Sequence, residues 1–187
     1  MAGWWIFFFK IFYKLEYLLI LNVMKRTIIY YYAPSNKQAI DSAGNTRNTS
    51  FRSELWKPSI RQIIPPGKGK KYIIFWFFHI FGIFRNRCYS SFLLWDNKRL
   101  VNSFLVVPAY FKWPFMKKND LQFTYVLTQK PYRKLGITRN HIYKAVEYYY
   151  KADRTFWWVT DSENKASMNF AIRMGFKVAG YGNHSGP

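Results

Sequence analysis

A short basic segment, PYRKLGIT at residues 131–138, holds the residues of this chain that are best suited to bind an anion. The guanidinium group of Arg133 presents a planar set of donors that matches the oxygens of a phosphate. Gly136 lacks a Cβ and therefore lets an anion approach the backbone closely. An ordinary corner between a strand and a helix would look similar, so both interpretations are open at this point.

The strand and the helix predicted on either side of this segment determine which backbone groups it can present to a ligand. Large apolar residues alternate from Leu121 to Leu127, which predicts a strand, and Pro131 ends it. From Ile137 to Tyr149 the apolar residues recur with helical spacing. A loop that opens directly into a helix directs several backbone N–H groups and the positive end of the helix dipole at one place. The sequence therefore predicts a site for phosphate oxygens.

The composition restricts the partners of the chain. Its 187 residues carry 29 Lys and Arg against 9 Asp and Glu, a formal net charge of +20. Such a surplus attracts nucleic acid, anionic lipid or phosphorylated small molecules, although a biased source genome would also enrich lysine. The single cysteine, Cys88, excludes an internal disulfide framework and favours a reducing compartment. The three histidines are scattered without metal-ligand spacing, so no metal site is predicted.

The N-terminal part of the chain differs in composition from the rest. Residues 4–24 are strongly apolar but are interrupted by Lys10, Lys14 and Glu16, so we do not predict a membrane-spanning helix. A helix lying on a membrane surface and a helix packed on the domain remain alternatives. We predict three segments: an apolar N-terminal segment (1–33), a polar connecting region that could belong to the domain (34–71) and an α/β domain (72–187).

Apolar patterning predicts the remaining elements of an α/β fold. Gly67 to Lys71 is a basic turn without phosphate-loop spacing, which we interpret as a solvated linker. The predicted elements are a strand at Ile28–Tyr32, a short helix near Ser53–Trp56, a buried strand or strand pair at Tyr72–Phe84, a hairpin of Tyr89–Trp95 and Leu100–Val107, a strand at Thr155–Thr160, a helix at Asn164–Met174 closed by Gly175, and a strand at Phe176–Tyr181.

Two segments resemble the motifs of one enzyme family. PYRKLGIT resembles the coenzyme-A-binding motif of GNAT-type N-acetyltransferases, commonly written R/Q-x-x-G-x-G/A. ENKASMNFAIRMGFKVAG, at residues 163–180, resembles that family's later segment, in which an Asn opens a helix that ends at a Gly-Phe pair. The motifs stand in the family's order, and the resemblance covers about residues 72–181. It implies a GNAT-like α/β fold: a mixed, mostly antiparallel central sheet flanked by helices, here with an apolar N-terminal extension.

The resemblance also implies an activity and a set of binding residues. It implies a CoA-dependent N-acyltransferase that moves an acetyl group from acetyl-CoA to a primary amine and uses no metal. Main-chain N–H groups of the loop would hold the CoA pyrophosphate, the end of the preceding strand would pair with the pantetheine arm, and an Asn would reach the cofactor. The residues so implied are Val126, Leu127, Thr128, Arg133, Lys134, Leu135, Gly136, Ile137, Thr138 and Asn164.

The chain departs from the family pattern at several positions. Thr138 stands where the family prefers Gly or Ala, and Ala171 stands where it often carries a Tyr that protonates the departing thiolate. Tyr143 and Tyr181 are the candidate substitutes for that acid. The family usually has one more strand after the Gly-Phe pair, whereas this sequence stops about ten residues beyond it.

No general base is evident from a motif. Asp120, beside the motif strand, and Asp161, just after the next strand, are the candidate catalytic carboxylates. Either could take a proton from the ammonium group of an acceptor. An exposed aspartate at the end of a strand is also an ordinary surface residue, which is the alternative interpretation for both.

The acceptor is suggested only by a finer resemblance. The segment PFMKKNDLQFTYVLTQKPYRKLGI looks like GNAT-type proteins of capsule and O-antigen gene clusters, which are thought to acylate amino sugars. The expected acceptor is then a nucleotide-linked or lipid-linked amino sugar, handled in the cytoplasm or peripherally at an anionic inner membrane face. The alternatives are a non-catalytic, membrane-associated GNAT-like protein and a basic nucleic-acid-binding protein, although the chain has no DNA- or RNA-binding fingerprint.

Overall fold

A computed structural model describes residues 27–32 and 51–182, and the structural statements below refer to these residues. They form seven strands and three α-helices, with short 3-10 turns at Lys70–Tyr72 and Lys130–Tyr132. The strands are β1 (Thr27–Tyr32), β2 (Phe51–Trp56), β3 (Ser90–Asp96), β4 (Arg99–Pro108), β5 (Leu121–Thr128), β6 (Phe156–Asp161) and β7 (Lys177–Gly182). The helices are α1 (Ile73–Ile80), α2 (Ile137–Tyr148) and α3 (Lys165–Arg173).

The seven strands form one mixed sheet in the order β2-β3-β4-β5-β6-β1-β7. Every neighbouring pair is antiparallel except β5 and β6, which are parallel. Parallel strands require a crossover, and α2 provides it here. The mixed, mostly antiparallel α/β fold predicted from the sequence is therefore confirmed.

Strands β5 and β6 pair over only a short distance. Leu121–Phe123 lies beside Phe156–Trp158, whereas β5 continues to Thr128 and β6 to Asp161. On its other side, β5 carries a bulge opposite β4, and Tyr125 within it has a left-handed φ of 52°. A bulge bends its strand and increases the local twist. The two parallel strands consequently diverge, leaving a cleft between them near the middle of the sheet.

Hydrophobic clusters cover both faces of the sheet. Adjacent residues of β4 point in opposite directions, so Phe104 belongs to the cluster beneath α2 and α3, while Leu105 belongs to the cluster beneath α1. Phe123 and Phe156 stack on the α2 face with ring centroids 5.4 Å apart. This packing fixes β5 and β6 where they pair, just before the cleft opens.

Two predicted elements were wrong. The run Tyr72–Phe84 is not a strand: it forms the 3-10 turn and α1, whose buried residues Ile74, Phe75 and Phe78 share one helix face. A continuously apolar run has no period that separates a strand from a helix. The helix near Ser53–Trp56 is instead the end of β2, an edge strand that pairs with β3. Its outward residues are exposed and polar, so its sequence lacks a clear strand alternation.

The strand predicted at Ile28–Tyr32 is confirmed as β1, and its position is informative. It lies between β6 and β7 and is antiparallel to both, with Tyr30 buried at 1% exposure. The strand that pairs with β7 is thus β1, which precedes the other strands in the sequence, and not an additional strand that follows the Gly-Phe pair. The sheet includes strands from all three predicted segments.

The other sequence predictions agree with the structure. The hairpin, the strands that became β5, β6 and β7, and the helices that became α2 and α3 are confirmed within one or two residues at their ends. The apolar run at residues 4–24 lies outside the described residues. Of the helices in 27–32 and 51–182, none combines the length and the apolar character needed to cross a bilayer.

Candidate active site

The loop between β5 and α2 has the backbone shape of an anion site. After the 3-10 turn, Lys134 (φ 66°) and Gly136 (φ 75°) both adopt left-handed conformations, and Gly136 is the N-cap of α2. Such turns gather successive N–H groups on one concave side. A glycine has no side chain to cap the helix, so the N–H groups of the first turn remain available to a ligand. A Cβ on Gly136 would meet no protein atom within 4 Å, so the space beside the loop is open.

The charges around this loop favour an anion. Arg133 and Lys134 are exposed, and the first turn of α2 contains no acidic residue. Nε of Arg133 donates to the carbonyl oxygen of Thr128 at 3.1 Å, which holds the guanidinium group against the end of β5. Within α2, the Arg139 guanidinium lies over the Tyr143 ring, 5.7 Å from its centroid. The positive end of the helix dipole adds to this field.

The end of β5 is joined to the start of α2 by side chains. The hydroxyl groups of Thr128 and Thr138 are 2.7 Å apart. Nδ2 of Asn102, on β4, donates to the Leu127 carbonyl oxygen at 3.0 Å and to the Thr128 hydroxyl at 2.9 Å. Thr138, the departure from the family's Gly or Ala, therefore has a structural role. Its hydroxyl fixes the loop to the strand that leads into it.

The same network continues into the core through His141, which the sequence analysis did not single out. Nδ1 of His141 lies 2.7 Å from Oδ1 of Asn102, and Nε2 lies 3.4 Å from the Ser53 hydroxyl. The amide of Asn102 points its Nδ2 at a carbonyl oxygen, so its Oδ1 can only accept and Nδ1 of His141 must donate. Burial, with a smaller effect of Lys144, lowers the pKa of His141 to about 3. His141 is thus a neutral imidazole within the network.

A signal for His141 was present in the sequence. It follows Ile137 by four residues and so falls on the apolar face of the predicted helix. A polar residue on that face must find a hydrogen-bonding partner within the protein. Only the fold identifies that partner as Asn102.

Asn164 and Asp161 lie together at the end of β6. Asn164 is the N-cap of α3, and its Oδ1 accepts a hydrogen bond from the Ser167 N–H at 3.0 Å. Oδ1 of Asp161 accepts from the Glu163 N–H at 2.8 Å. Because β5 and β6 are parallel, these residues occupy the same end of the sheet as Thr128 and the loop. Their roles toward a cofactor or an acceptor stay predictions.

Asp120 lies at the other end of β5. Its carboxylate is 1% exposed and accepts hydrogen bonds from the N–H groups of Lys117 and Thr155 and from Nε1 of Trp157. The length of β5 places it roughly 25 Å from Thr128. The structure therefore separates Asp120 from the loop and engages both of its oxygens, which join the turn before β5 to the start of β6.

The tyrosines considered as proton donors are placed very differently. Ala171, where the family often has a Tyr, is fully buried in the core beneath α3. The hydroxyl of Tyr143 is also buried and donates to the Met174 carbonyl oxygen at 3.3 Å. Tyr181 is 78% exposed on β7. These two tyrosines are not brought together.

The basic turn at residues 67–71 is not simply a solvated linker, which corrects the sequence interpretation. Lys68 is only partly exposed, and its Nζ donates to the carbonyl oxygen of Tyr125 at 2.8 Å. Tyr125 is the bulge residue of β5, just beyond the last residue that pairs with β6. An amine group thus lies where the cleft opens. Sequence reasoning missed it because the contact joins residues 57 positions apart.

Solved structures share this fold at low sequence identity. A putative GNAT-family acetyltransferase from Novosphingobium aromaticivorans gives a TM-score of 0.53 at 10% identity, covering 86% of this chain and 62% of that one. A GCN5-related N-acetyltransferase-like protein from Streptococcus suis gives 0.54 at 10% identity, covering 89% and 64%. A conserved protein of unknown function from Staphylococcus epidermidis gives 0.50 at 15% identity, covering 83% and 58%. The chain thus spans about three fifths of the length of these proteins. No curated protein sequence matches it significantly.

A family sequence profile also matches the chain, over more than half of its length. Residues 53–176 match the profile described as "Acetyltransferase (GNAT) family". The matched range runs from within β2 to the Gly-Phe pair and includes the cleft between β5 and β6, the loop at Arg133 and the whole of α2. The chain therefore belongs to the GNAT acetyltransferase family.

Proposed function

We propose that the protein transfers an acetyl group from acetyl-CoA to a primary amine of a small molecule. One observation carries this proposal: the part of β5 that has separated from β6 leads directly into a loop whose backbone is shaped to bind an anion. A long ligand that combines amide groups with a pyrophosphate fits such a continuous surface. Acetyl-CoA has this composition and supplies an activated thioester.

The pyrophosphate would be held at the N-terminus of α2. We assign the backbone N–H groups of residues 133–138 to this role, with Arg133 and Lys134 supplying positive charge. Gly136 makes this arrangement possible because it adopts a left-handed φ that residues with a side chain rarely adopt. A Cβ on Gly136 would meet no protein atom within 4 Å, so a phosphate oxygen could approach the backbone at this residue.

The pantetheine arm would lie along Val126, Leu127 and Thr128. These residues continue β5 beyond its parallel pairing with β6, so the arm would take the place of the diverging strand. Backbone N–H groups held rigidly at this edge would stabilise the negative charge that develops on the thioester carbonyl oxygen when the amine attacks. Val126 packs on the core cluster, and Asn102 holds the Leu127 carbonyl, so this edge of the cleft is rigid.

The amine acceptor must lose a proton to become a nucleophile. Of the two predicted carboxylates, Asp161 lies at the loop end of the sheet, and we retain it as the candidate base. We assign Asp120 a structural role because its oxygens are buried and engaged far from the loop. Asn164, at the start of α3, is retained as a residue that reaches the cofactor.

For the acceptor we propose an amino sugar linked to a nucleotide or a lipid, used in surface polysaccharide synthesis. The net charge of +20 supports an acceptor that carries phosphate groups, and it would also favour peripheral binding at an anionic membrane. The resemblance of residues 114–137 to GNAT-type proteins of capsule and O-antigen gene clusters supports an amino sugar as the acceptor.

Calorimetric titration with acetyl-CoA tests the donor site. We expect binding by the unaltered chain and at least roughly tenfold weaker binding by Gly136→Asp and Arg133→Glu, because each places negative charge against the pyrophosphate. Lys151→Glu is the matched control: Lys151 is exposed and lies beyond the far end of α2, about 18 Å of helix away. Equal affinities for all four proteins, with circular dichroism unchanged, would refute the proposed site.

A thiol-release assay then tests the reaction. Acetyl-CoA is offered with a panel of amines that includes free, nucleotide-linked and lipid-linked amino sugars. Release of CoA that depends on the amine, and that Gly136→Asp abolishes, is the expected result. Binding of acetyl-CoA without turnover on any amine would favour a non-catalytic GNAT-like protein.

A further inference from the structure

Lys68 is held in place by packing rather than lying on a loose loop. Gly67, which precedes it, has φ 73°, and a Cβ there would come within 2.4 Å of Cδ2 of Leu100 on β4. The turn is therefore pressed onto the sheet. It is closed by a hydrogen bond from the Lys68 N–H to the Pro65 carbonyl oxygen at 3.1 Å. The position of the Lys68 backbone is thus fixed by the packing of Gly67 on β4 and by the hydrogen bond to Pro65.

The amine of Lys68 reaches the point where β5 leaves β6. Its Nζ donates to the Tyr125 carbonyl oxygen at 2.8 Å, and Tyr125 comes two residues after Phe123, the last residue of β5 that pairs with β6. The same Nζ lies 5.9 Å from the ring centroid of Tyr72, and the Tyr72 and Tyr125 rings are in edge contact with centroids 4.8 Å apart. The Tyr72 ring therefore lies beside the amine and is itself in contact with the ring of Tyr125.

The surroundings of this amine shift its protonation equilibrium toward the neutral form. Burial, followed by repulsion from Lys71, lowers the pKa of Lys68 to about 8. In the described part of the chain, its neighbours Lys71, Tyr72 and Tyr125 contribute no carboxylate. Among the described residues the ion pair Arg52–Glu54 is the only one, so no carboxylate holds Lys68 in its charged form. A neutral amine can keep one N–H on the Tyr125 oxygen while its lone pair is free.

We propose that Lys68 is itself an acyl acceptor, a modification site within the chain. In this step Nζ attacks the thioester carbonyl carbon, the C–N bond forms and the C–S bond breaks. Sulfur leaves as CoA, which takes up the proton that the amine loses, and the product is Nε-acetyl-Lys68. No further reactant is needed. The inference depends on the proposed binding of acetyl-CoA between β5 and β6.

The chemical argument is one of proximity. The proposed function requires a primary amine beside a thioester at this edge of the sheet, and Lys68 supplies one whose lowered pKa, about 8, makes its neutral form far more abundant near physiological pH than that of an ordinary lysine. A nucleophile held beside its electrophile reacts as though present at very high concentration. Lys70 and Lys71 are neighbouring lysines that are exposed to solvent, so they are the natural internal comparison.

The test is mass spectrometry of the full chain after incubation with acetyl-CoA. We expect a single acetyl group, mapped by peptide analysis to Lys68, formed roughly tenfold or more faster than acetylation of Lys70 or Lys71. Lys68→Arg, which keeps the charge and the hydrogen-bond donor, should lose this product. Lys71→Arg should retain it. Gly136→Asp should lose it, since delivery requires the CoA site.

Two negative outcomes separate this inference from the proposed function. If calorimetry shows acetyl-CoA binding but Lys68 is unmodified, or no faster than Lys70 and Lys71, the inference is wrong and the proposed function stands. If the chain does not bind acetyl-CoA, both are wrong. Persistence of acetylation at Lys68 in Gly136→Asp would show that the reaction is chemical rather than site-directed, and it would also overturn the inference.

Discussion

His141 on α2 donates its Nδ1 proton to Oδ1 of Asn102 on β4, across a buried distance of 2.7 Å. Nδ2 of Asn102 in turn donates hydrogen bonds to the Leu127 carbonyl oxygen and the Thr128 hydroxyl, at the end of the strand proposed to hold the pantetheine arm. Helix α2, which begins at the loop between β5 and α2, is therefore joined through the core to β5, which ends at the same loop. We expect this pair to determine how rigidly the loop is presented.

Asn102→Ala should weaken both stability and acetyl-CoA binding. It leaves the His141 N–H and the Leu127 carbonyl without their partner, and a buried polar group left unsatisfied costs about 1 to 3 kcal/mol. Urea unfolding should show this loss, and calorimetry should show weaker binding at a temperature where the variant remains folded. Gln62→Ala, at an exposed position on the loop after β2, is the control and should change neither quantity. Unaltered affinity in a destabilised Asn102→Ala variant would show that the network does not position the loop.

The neutral state of His141 predicts a loss of stability in acid. Its pKa is about 3 in the folded protein and about 6.5 in an unfolded chain, so between these values the unfolded chain binds a proton that the folded one does not. Stability from this group is complete above about pH 6.5 and falls as pH decreases, by up to about 1.4 kcal/mol per pH unit. The pKa of His79 is also lowered, by burial and by Arg87, and acts in the same direction.

Thermal unfolding measured between about pH 7 and about pH 4 checks this expectation. His141→Gln, which keeps hydrogen-bonding capacity without titrating in this range, should begin less stable but lose less on acidification. Parallel curves for the two proteins would mean that His141 is not responsible for the acid dependence.

The two candidate carboxylates should respond differently to removal of their charge. Asp120→Asn replaces one acceptor oxygen by a donor that faces N–H groups, so it should destabilise the fold by roughly 2 kcal/mol or more. Its turnover per folded molecule should be unchanged. Asp161→Asn should keep most of the stability and lower turnover, more strongly at low pH where the acceptor is protonated. The reverse pattern would assign the base to Asp120.

Strand β1 should be required for stability, although it lies far from the motifs in sequence. Tyr30 is 1% exposed within the sheet between β6 and β7, so Tyr30→Ala should cost about 3 kcal/mol or more in urea unfolding. Tyr181→Ala removes the same side chain from a position that is 78% exposed, and it should cost far less. Similar losses for the two would show that β1 contributes little to the folded sheet.

The sequence by itself determined most of the elements and the loop that we propose to bind the acyl donor. Alternation along Leu121–Thr128 is a local property, and so is the requirement for glycine before a helix at Gly136, where φ is positive. The pairing of this loop with an Asn-opened helix ending at Gly175 was sufficient to suggest the family. Continuous apolar runs and exposed edge strands were misread, because at Ile73–Ile80 and Phe51–Trp56 the local pattern does not distinguish a helix from a strand.

Only the tertiary structure decided which distant residues meet. In the fold, β1 lies between β6 and β7, and β5 separates from β6 beyond Phe123. Asp120 lies at the opposite end of β5 from the loop. The tertiary structure also placed His141 on Asn102 and Lys68 on the bulge at Tyr125. The physical reason is the same in each case: hydrogen bonds and packing between segments far apart in the chain depend on strand order and register, which no local pattern encodes.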